Sequence, residues 1–264
     1  MSEIKQITSL TNPLVKAVRA LHLRKERDHS GRFLAEGLKI VTEAVELGRP
    51  PQTLLYGSEA RDHPVLRHVV AKTIEVGGEV IEVTTDILEK ISRRDNPQTV
   101  VAVFDQTYSP LDTLAPESNG AWVALHAVRD PGNLGTIVRT ADAAGAGGVI
   151  LVGDCCDPYS VEAVRATMGS IFAVPIYKAT IPEFLAWRQT WPGSVVGTLL
   201  TATVDHRVAD YRRPTLLLMG NEQQGLTPEL AAACDVNVKI PMRGRADSLN
   251  LSVATGIMIY AATG

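Results

Sequence analysis

Three times in the second half of this chain an apolar run breaks off into glycines set beside Asn, Arg, Glu or Ser. The segments are RDPGNLGTIVRTAD at residues 129–142, MGNEQQGL at 219–226 and IPMRGRADSLNLSVATG at 240–256. Each sits where a strand hands over to a loop or helix, and in open α/β sheets that is where ligands bind. Three such edges within one stretch point to a single composite site. They also demand a sheet whose strands end on one side, which restricts the second half to an α/β architecture.

The spacing of apolar residues supports that architecture. After residue 120, strand candidates at 122–126, 148–152, 195–199, 215–219 and 238–240 alternate with helical patterns, as in a largely parallel sheet. The first hundred residues read as a smaller α/β unit. Asn12-Pro13 opens a helix with Leu14, Val18 and Leu21 on one face, and residues 37–47 form a second helix carrying Leu38, Val41 and Val45. Strands are expected at 53–56, 79–83 and 99–104. Between the halves lies QTYSPLDTLAPESNG, a linker composition without a period. The expected organisation is therefore a domain at 1–105, a linker at 106–120 and a second domain at 121–264.

Composition excludes several classes. No apolar run is long enough to span a bilayer, and the opening MSEIKQITSL lacks the apolar core of a secretory signal, so the cytoplasm is expected. Cys155 and Cys156 are adjacent and Cys234 is remote, which makes neither a disulfide framework nor a metal-spaced set. A net charge of −3 argues against coating nucleic acid through bulk charge. The charge is unevenly spread, however. Lys16, Arg19, Arg24, Lys25, Arg27, Arg32 and Lys39 outnumber Glu26, Asp28 and Glu36 in one short stretch. That run is either a solvated helix face or a phosphate-contacting arm, which would make binding salt-dependent.

In the first segment Gly132 and Gly135 flank Asn133, and a helix carrying Arg139 follows. A glycine-rich turn at a helix N-terminus favours an anion, so it is a docking point for RNA backbone or, more plainly, a strand-to-helix connection capped by Asn133. In the second, Glu222 at a strand end needs hydrogen-bond donors if it is buried, and its role is either to fix the loop or to act in chemistry. In the third, Ile240-Pro241-Met242 ends a strand, and Asp247 is positioned to cap a helix starting near Ser248, with Asn250 in its first turn. Leu249, Val253, Ile257 and Tyr260 recur at helix spacing, as a packing face or as part of an intermolecular surface.

As a set, the three segments resemble the SpoU/TrmH family of RNA ribose 2′-O-methyltransferases, in the SPOUT superfamily. The resemblance covers residues 122–262. The first half is similar, less specifically, to the ribosomal-protein-like RNA-binding domain of many members. The resemblance implies a trefoil-knotted α/β domain behind a smaller α/β domain. It further implies S-adenosylmethionine held by Gly220, Ile240 and Leu249 with neighbouring main chain. Arg139 would be the catalytic residue, completed by Asn133, Glu222, Ser248 and Asn250. Because a guanidinium stays protonated at neutral pH, Arg139 is expected to stabilise the forming alkoxide or pass its proton to a nearby phosphate. The implied partners are RNA, rRNA before tRNA, and a second copy of the chain; neither DNA nor a membrane is expected. A noncatalytic RNA-binding or ribosome-assembly protein and a small-molecule methyltransferase are the competing readings.

Overall fold

The computed structural model describes residues 4–116 and 120–264. By packing, the chain forms two compact units, and it passes between them three times. One comprises Met1–Gln106 with Tyr159–Phe172, the other Thr107–Pro158 with Ala173–Gly264. Residues 1–3 and 117–119, the latter within the stretch read as a linker, lie outside the described residues.

The first unit runs β1 (Lys5–Ile7), α1 (Pro13–Ala20), α2 (Arg24–Ser30), β2 (Arg32–Glu36), α3 (Leu38–Glu46), β3 (Thr53–Gly57), α4 (Pro64–Glu75), β4 (Glu79–Val83), α5 (Thr85–Ser92) and β5 (Val100–Asp105). Its sheet has the order β1-β4-β3-β5-β2, parallel across β1, β4 and β3 and antiparallel through β5 to β2. Asn12 caps α1 by accepting from the Leu14 amide at 2.9 Å, ahead of Pro13, whose missing amide costs nothing at that position. The face of α1 formed by Val15 and Val18, with Leu21, packs on Ile87, Leu88 and Ile91 of α5. β1 and β2 are strands that the apolar pattern does not announce, because β1 is short and polar and the apolar run of β2 is only Phe33, Leu34 and Ala35 between charged residues.

The second unit runs β6 (Ala121–His126), α6 (Pro131–Ala143) and β7 (Val149–Val152). After it, α7 (Val161–Thr167) belongs by packing to the first unit. The chain returns for β8 (Ile176–Ala179), α8 (Ile181–Arg188), β9 (Val195–Thr198), β10 (Val204–Asp205), β11 (Thr215–Met219), α9 (Pro228–Ala232), β12 (Val236–Lys239) and α10 (Leu251–Thr263). The sheet is parallel throughout its described strands, in the order β10-β12-β9-β11-β6-β7-β8. A parallel sheet covered on both faces has nearly continuous apolar strands, and TLLLM in β11 is buried along its whole length. The stretch read as a linker is partly structured. Leu114 is buried in the second core, and the Ser109 amide donates to the Ile176 carbonyl at 2.9 Å beside β8.

Candidate active site

Since β6, β9, β11 and β12 run parallel, the loops leaving their C-terminal ends gather on one side of the second sheet. Those loops are 127–130, 199–203, 220–227 and 240–250. The last three frame a cavity of 390 Å³, within the usual size of a small-ligand site. Its apolar lining includes Leu199, Met219, Leu226, Ile240, Leu249 and Leu251, and its polar lining includes Thr198, Asn221, Glu222 and Ser248. Gly220 and Ile240 line it, together with Leu249. β12 ends at Lys239, so Ile240 belongs to the loop and not to the strand. At Gly220 a Cβ would collide with the backbone of Gly225 and Leu226, so only glycine lets the loop fold back this tightly.

A polar network lies at the rim. Glu222 accepts from the Arg129 amide at 3.2 Å, the Asp130 amide at 3.3 Å and the Asn133 side-chain amide at 3.3 Å. Asn250 in turn donates to Asn133 Oδ1 at 2.9 Å. The network thus joins all three sequence segments. Glu222 is exposed in this chain, contrary to a buried carboxylate, yet its donors are those expected of one. With Asp130, these bonds bring two carboxylates to the entry of α6, which disfavours an anion at that turn. Asp130, and not Asn133, is the N-cap of α6, accepting from the Asn133 amide at 2.6 Å.

Asn250 has a second task. Its Oδ1 accepts from the Ser252 amide at 2.9 Å and the Val253 amide at 3.4 Å, so Asn250 caps α10. Asp247 does not, and the helix starts at Leu251, three residues later than the spacing predicts. Ser248 lines the cavity, with its hydroxyl 3.1 Å from Asp247 Oδ1, and is not joined to the network. Arg139 is apart from both. It follows Asn133 by six residues, roughly 9 Å along the helix and about 240° around it. It is exposed and has no hydrogen-bond or ion-pair partner among the described residues.

Sequence reasoning passes over Asn221 and His126. The Asn221 side chain donates to the Ala127 carbonyl at 2.7 Å and accepts from the Gln223 amide at 2.9 Å, tying the cavity loop to the end of β6. Ala127 itself has φ 49°, a left-handed conformation that such a bond helps to hold. His126 is buried, hydrogen-bonds the Gly225 backbone, and leaves Nδ1 without a partner. Burial holds its pKa below the ordinary value, only partly offset by that bond and by Glu229. An Asn after a strand-end glycine and a His closing an apolar strand are the only sequence signals for these roles.

Residues 120–260 match the SpoU rRNA Methylase family, and residues 12–102 match the MRM3-like substrate binding domain. The chain belongs to the SpoU rRNA methylase family. Among solved structures, an AdoMet-bound rRNA methyltransferase from Sinorhizobium meliloti is 52% identical and has a TM-score of 0.92, with 98% of this chain and 97% of that one covered. The SpoU methyltransferase AviRb from Streptomyces viridochromogenes, in complex with AdoMet, is 33% identical with a TM-score of 0.86, covering 96% of this chain and 97% of that one. The 23S rRNA (guanosine(2553)-2′-O)-methyltransferase RlmP of Bacillus subtilis is 31% identical over 257 residues, 97% of this chain and 98% of the relative.

Proposed function

We propose that this chain transfers a methyl group from S-adenosylmethionine to a ribose 2′-hydroxyl of large-subunit rRNA. The observation that carries the reading is the convergence of all three sequence segments on one cavity and one hydrogen-bonded rim. The cavity suits the cofactor chemically. Aliphatic side chains line it for the apolar parts, and Thr198, Glu222 and Ser248 place polar groups on its wall for a ribose or amino-acid moiety. When bound, the cofactor supplies an electrophilic methyl on a sulfonium. In this reading Gly220, Ile240 and Leu249 hold it.

The chain's own residues then position the 2′-hydroxyl and manage its proton. Alignment alone supplies several kcal/mol of such a barrier. Asn133, Glu222 and Asn250 form a pre-set polar rim, Ser248 offers a hydroxyl at the cavity wall, and Arg139, which stands apart from them in one chain, stabilises the forming alkoxide as a permanent cation from the seam between two copies. A cysteine nucleophile, which base methylation at a pyrimidine carbon can require, finds no support. Burial pushes the Cys156 and Cys234 thiols up to about 12.

The reading extends to a homodimer working in the cytoplasm, with a knotted threading of the second unit as in the family. Support for the dimer comes from α10, whose Val253, Ile257 and Tyr260 border an open apolar groove with Thr136 and Thr140 of α6. Arg139 is next to Thr140, so a second copy seated there would bring Arg139 to the seam. Incubating the protein with tritiated cofactor and deproteinised large-subunit rRNA, then digesting to nucleosides for mass spectrometry, tests the function. Label on a ribose is expected. A methyl on the base with an unmodified ribose, or no transfer to RNA, overturns it.

A further inference from the structure

At the end of α5 the chain turns through Arg93 with φ 55°, a left-handed conformation. Glycine is the usual occupant there, because a Cβ crowds the neighbouring carbonyl. Arg93 and Arg94 are both exposed, and neither has a hydrogen bond or ion-pair partner among the described residues. A strained position held by a side chain that makes no such bond within the fold points to a use outside it.

The turn is fixed from two sides. Glu36, at the end of β2, has its side chain 1% exposed and accepts from Arg165 Nε at 3.1 Å and from Nη2. Nη2 of Arg165 also donates to the carbonyl of Ser92, the residue before Arg93, at 3.4 Å. Opposite, the Nε2–H of His22 donates to the Ile91 carbonyl at 2.6 Å. Two carbonyls at the helix end, where intrahelical partners run out, are thus taken by side chains from distant segments. Arg19, in the last turn of α1, lies three residues before His22 and is exposed. The acidic groups shown beside the turn are Glu36, which Arg165 engages, and Asp95, which follows Arg94 in sequence.

We propose that the Arg93–Arg94 turn grips RNA phosphates, and that the buried Glu36–Arg165 pair acts as a set of positioning residues holding that grip in place. The proposal rests on the rRNA methyltransferase reading and refines it. Within the basic run at 16–39, Arg27 is buried and donates to the Leu21 and His22 carbonyls, and Arg24 and Arg32 are ion-paired with Asp28 and Asp105. Lys16, Arg19, Lys25 and Lys39 are also exposed, and what distinguishes the Arg93–Arg94 turn from them is its left-handed backbone, held by Arg165 and His22. Arg165 comes from the stretch that matches the methylase model, so the grip forms only when residues 159–172 have folded into the first unit.

The test uses the full chain, with filter binding to in vitro transcribed 23S rRNA over a range of salt, single-turnover methylation, and calorimetry for the cofactor. Arg93→Gly/Arg94→Ala is expected to weaken RNA binding at least about tenfold and to flatten the log–log salt dependence by roughly 1 to 2, the share of two phosphate contacts. Cofactor affinity should hold, and Tm should hold or rise because glycine relieves the left-handed position. Arg93→Lys/Arg94→Lys should restore the salt slope. Glu36→Gln should weaken RNA binding in the same direction, with the loss in KM for RNA and not in the single-turnover rate at saturating RNA. Wild-type affinity and slope in Arg93→Gly/Arg94→Ala overturn the grip. An intact RNA affinity in Glu36→Gln overturns the positioning role. A wild-type protein that binds the RNA through this turn and transfers no methyl sinks the methyltransferase reading and leaves the grip standing.

Discussion

Arg139 stands exposed on α6 without a partner, so the fold loses little when its guanidinium goes. If it stabilises developing charge on the 2′-oxygen, Arg139→Ala should lower single-turnover methylation by about 10²- to 10³-fold, the scale of one lost stabilising group. Tm and cofactor affinity should stay at wild-type values, and near-normal transfer by the purified variant would remove Arg139 from the mechanism. His126 carries a pH prediction. Burial lowers its pKa from the ordinary 6.5 in the folded chain, so on acidification the unfolded chain binds this proton first. Stability is therefore full above about 6.5, falls as pH drops from there toward the depressed folded value, and levels off below it. Urea midpoints of wild type and His126→Gln at about pH 7 and pH 5.5 should show a smaller acid loss in the variant. His22, whose pKa burial also lowers, keeps the remainder. Asn133, Glu222 and Asn250 were legible because each falls in one of the three segments where an apolar run gives way to glycines and polar residues. Asn221 and His126 were not, since their roles come from contacts between segments: Asn221 reaches the Ala127 carbonyl, 94 positions away, and His126 the Gly225 backbone.

At the scale of elements, α10 shows what periodicity leaves open. Val253 and Tyr260 are exposed and Ile257 is half-buried, whereas Leu251, Thr255, Met258, Ile259 and Ala262 face the core. The spacing found a real stripe and left open whether it packs inward or meets a partner; the fold turns it outward. A helix apolar all round gives no contrast between faces, so only packing against α6, β6 and β11 decides which one is buried. The start of the helix was misplaced for a related reason, because Asp247, Ser248 and Asn250 are all good capping residues and only geometry selects Asn250. The outward stripe is the basis for a prediction about assembly. Val253→Asp would put a carboxylate in the groove between α6 and α10, at small cost to the folded chain because that position is 51% exposed. If this face joins two copies, light scattering should find the variant monomeric at concentrations where the wild type is dimeric. An unchanged mass would move the interface elsewhere.

Across the whole molecule, the two α/β units were legible, since runs of apolar strands alternating with amphipathic helices fix that class. Their division along the chain was legible near residue 106 and not at Tyr159 or Phe172. Composition changes near residue 106, where the packing also divides, but no comparable signal marks Tyr159 or Phe172. There the sequence keeps the grammar of an α/β repeat, with α7 sitting between β7 and β8 as a crossover helix would. Tertiary contacts redirect it. Tyr159 packs on Phe33 with ring centroids 4.7 Å apart, Phe172 lies 4.7 Å from Phe104, and Val161 joins the core around Leu34 and Ile87. A fragment comprising residues 121–264 would keep the cofactor cavity and strip these side chains of their partners, along with the buried Glu36 that pairs with Arg165. Each large aromatic deprived of its packing costs on the order of 3–5 kcal/mol, a large part of a domain's stability. The fragment should therefore melt well below the full chain, and limited proteolysis should cut it first between residues 159 and 172. Full-length chain carrying Phe172→Ala should show the same site of first cleavage in milder form. A fragment that melts as cooperatively as the full chain and resists cleavage there would mean that residues 159–172 fold without the first unit, and the contacts of Tyr159, Val161 and Phe172 would then be incidental to stability.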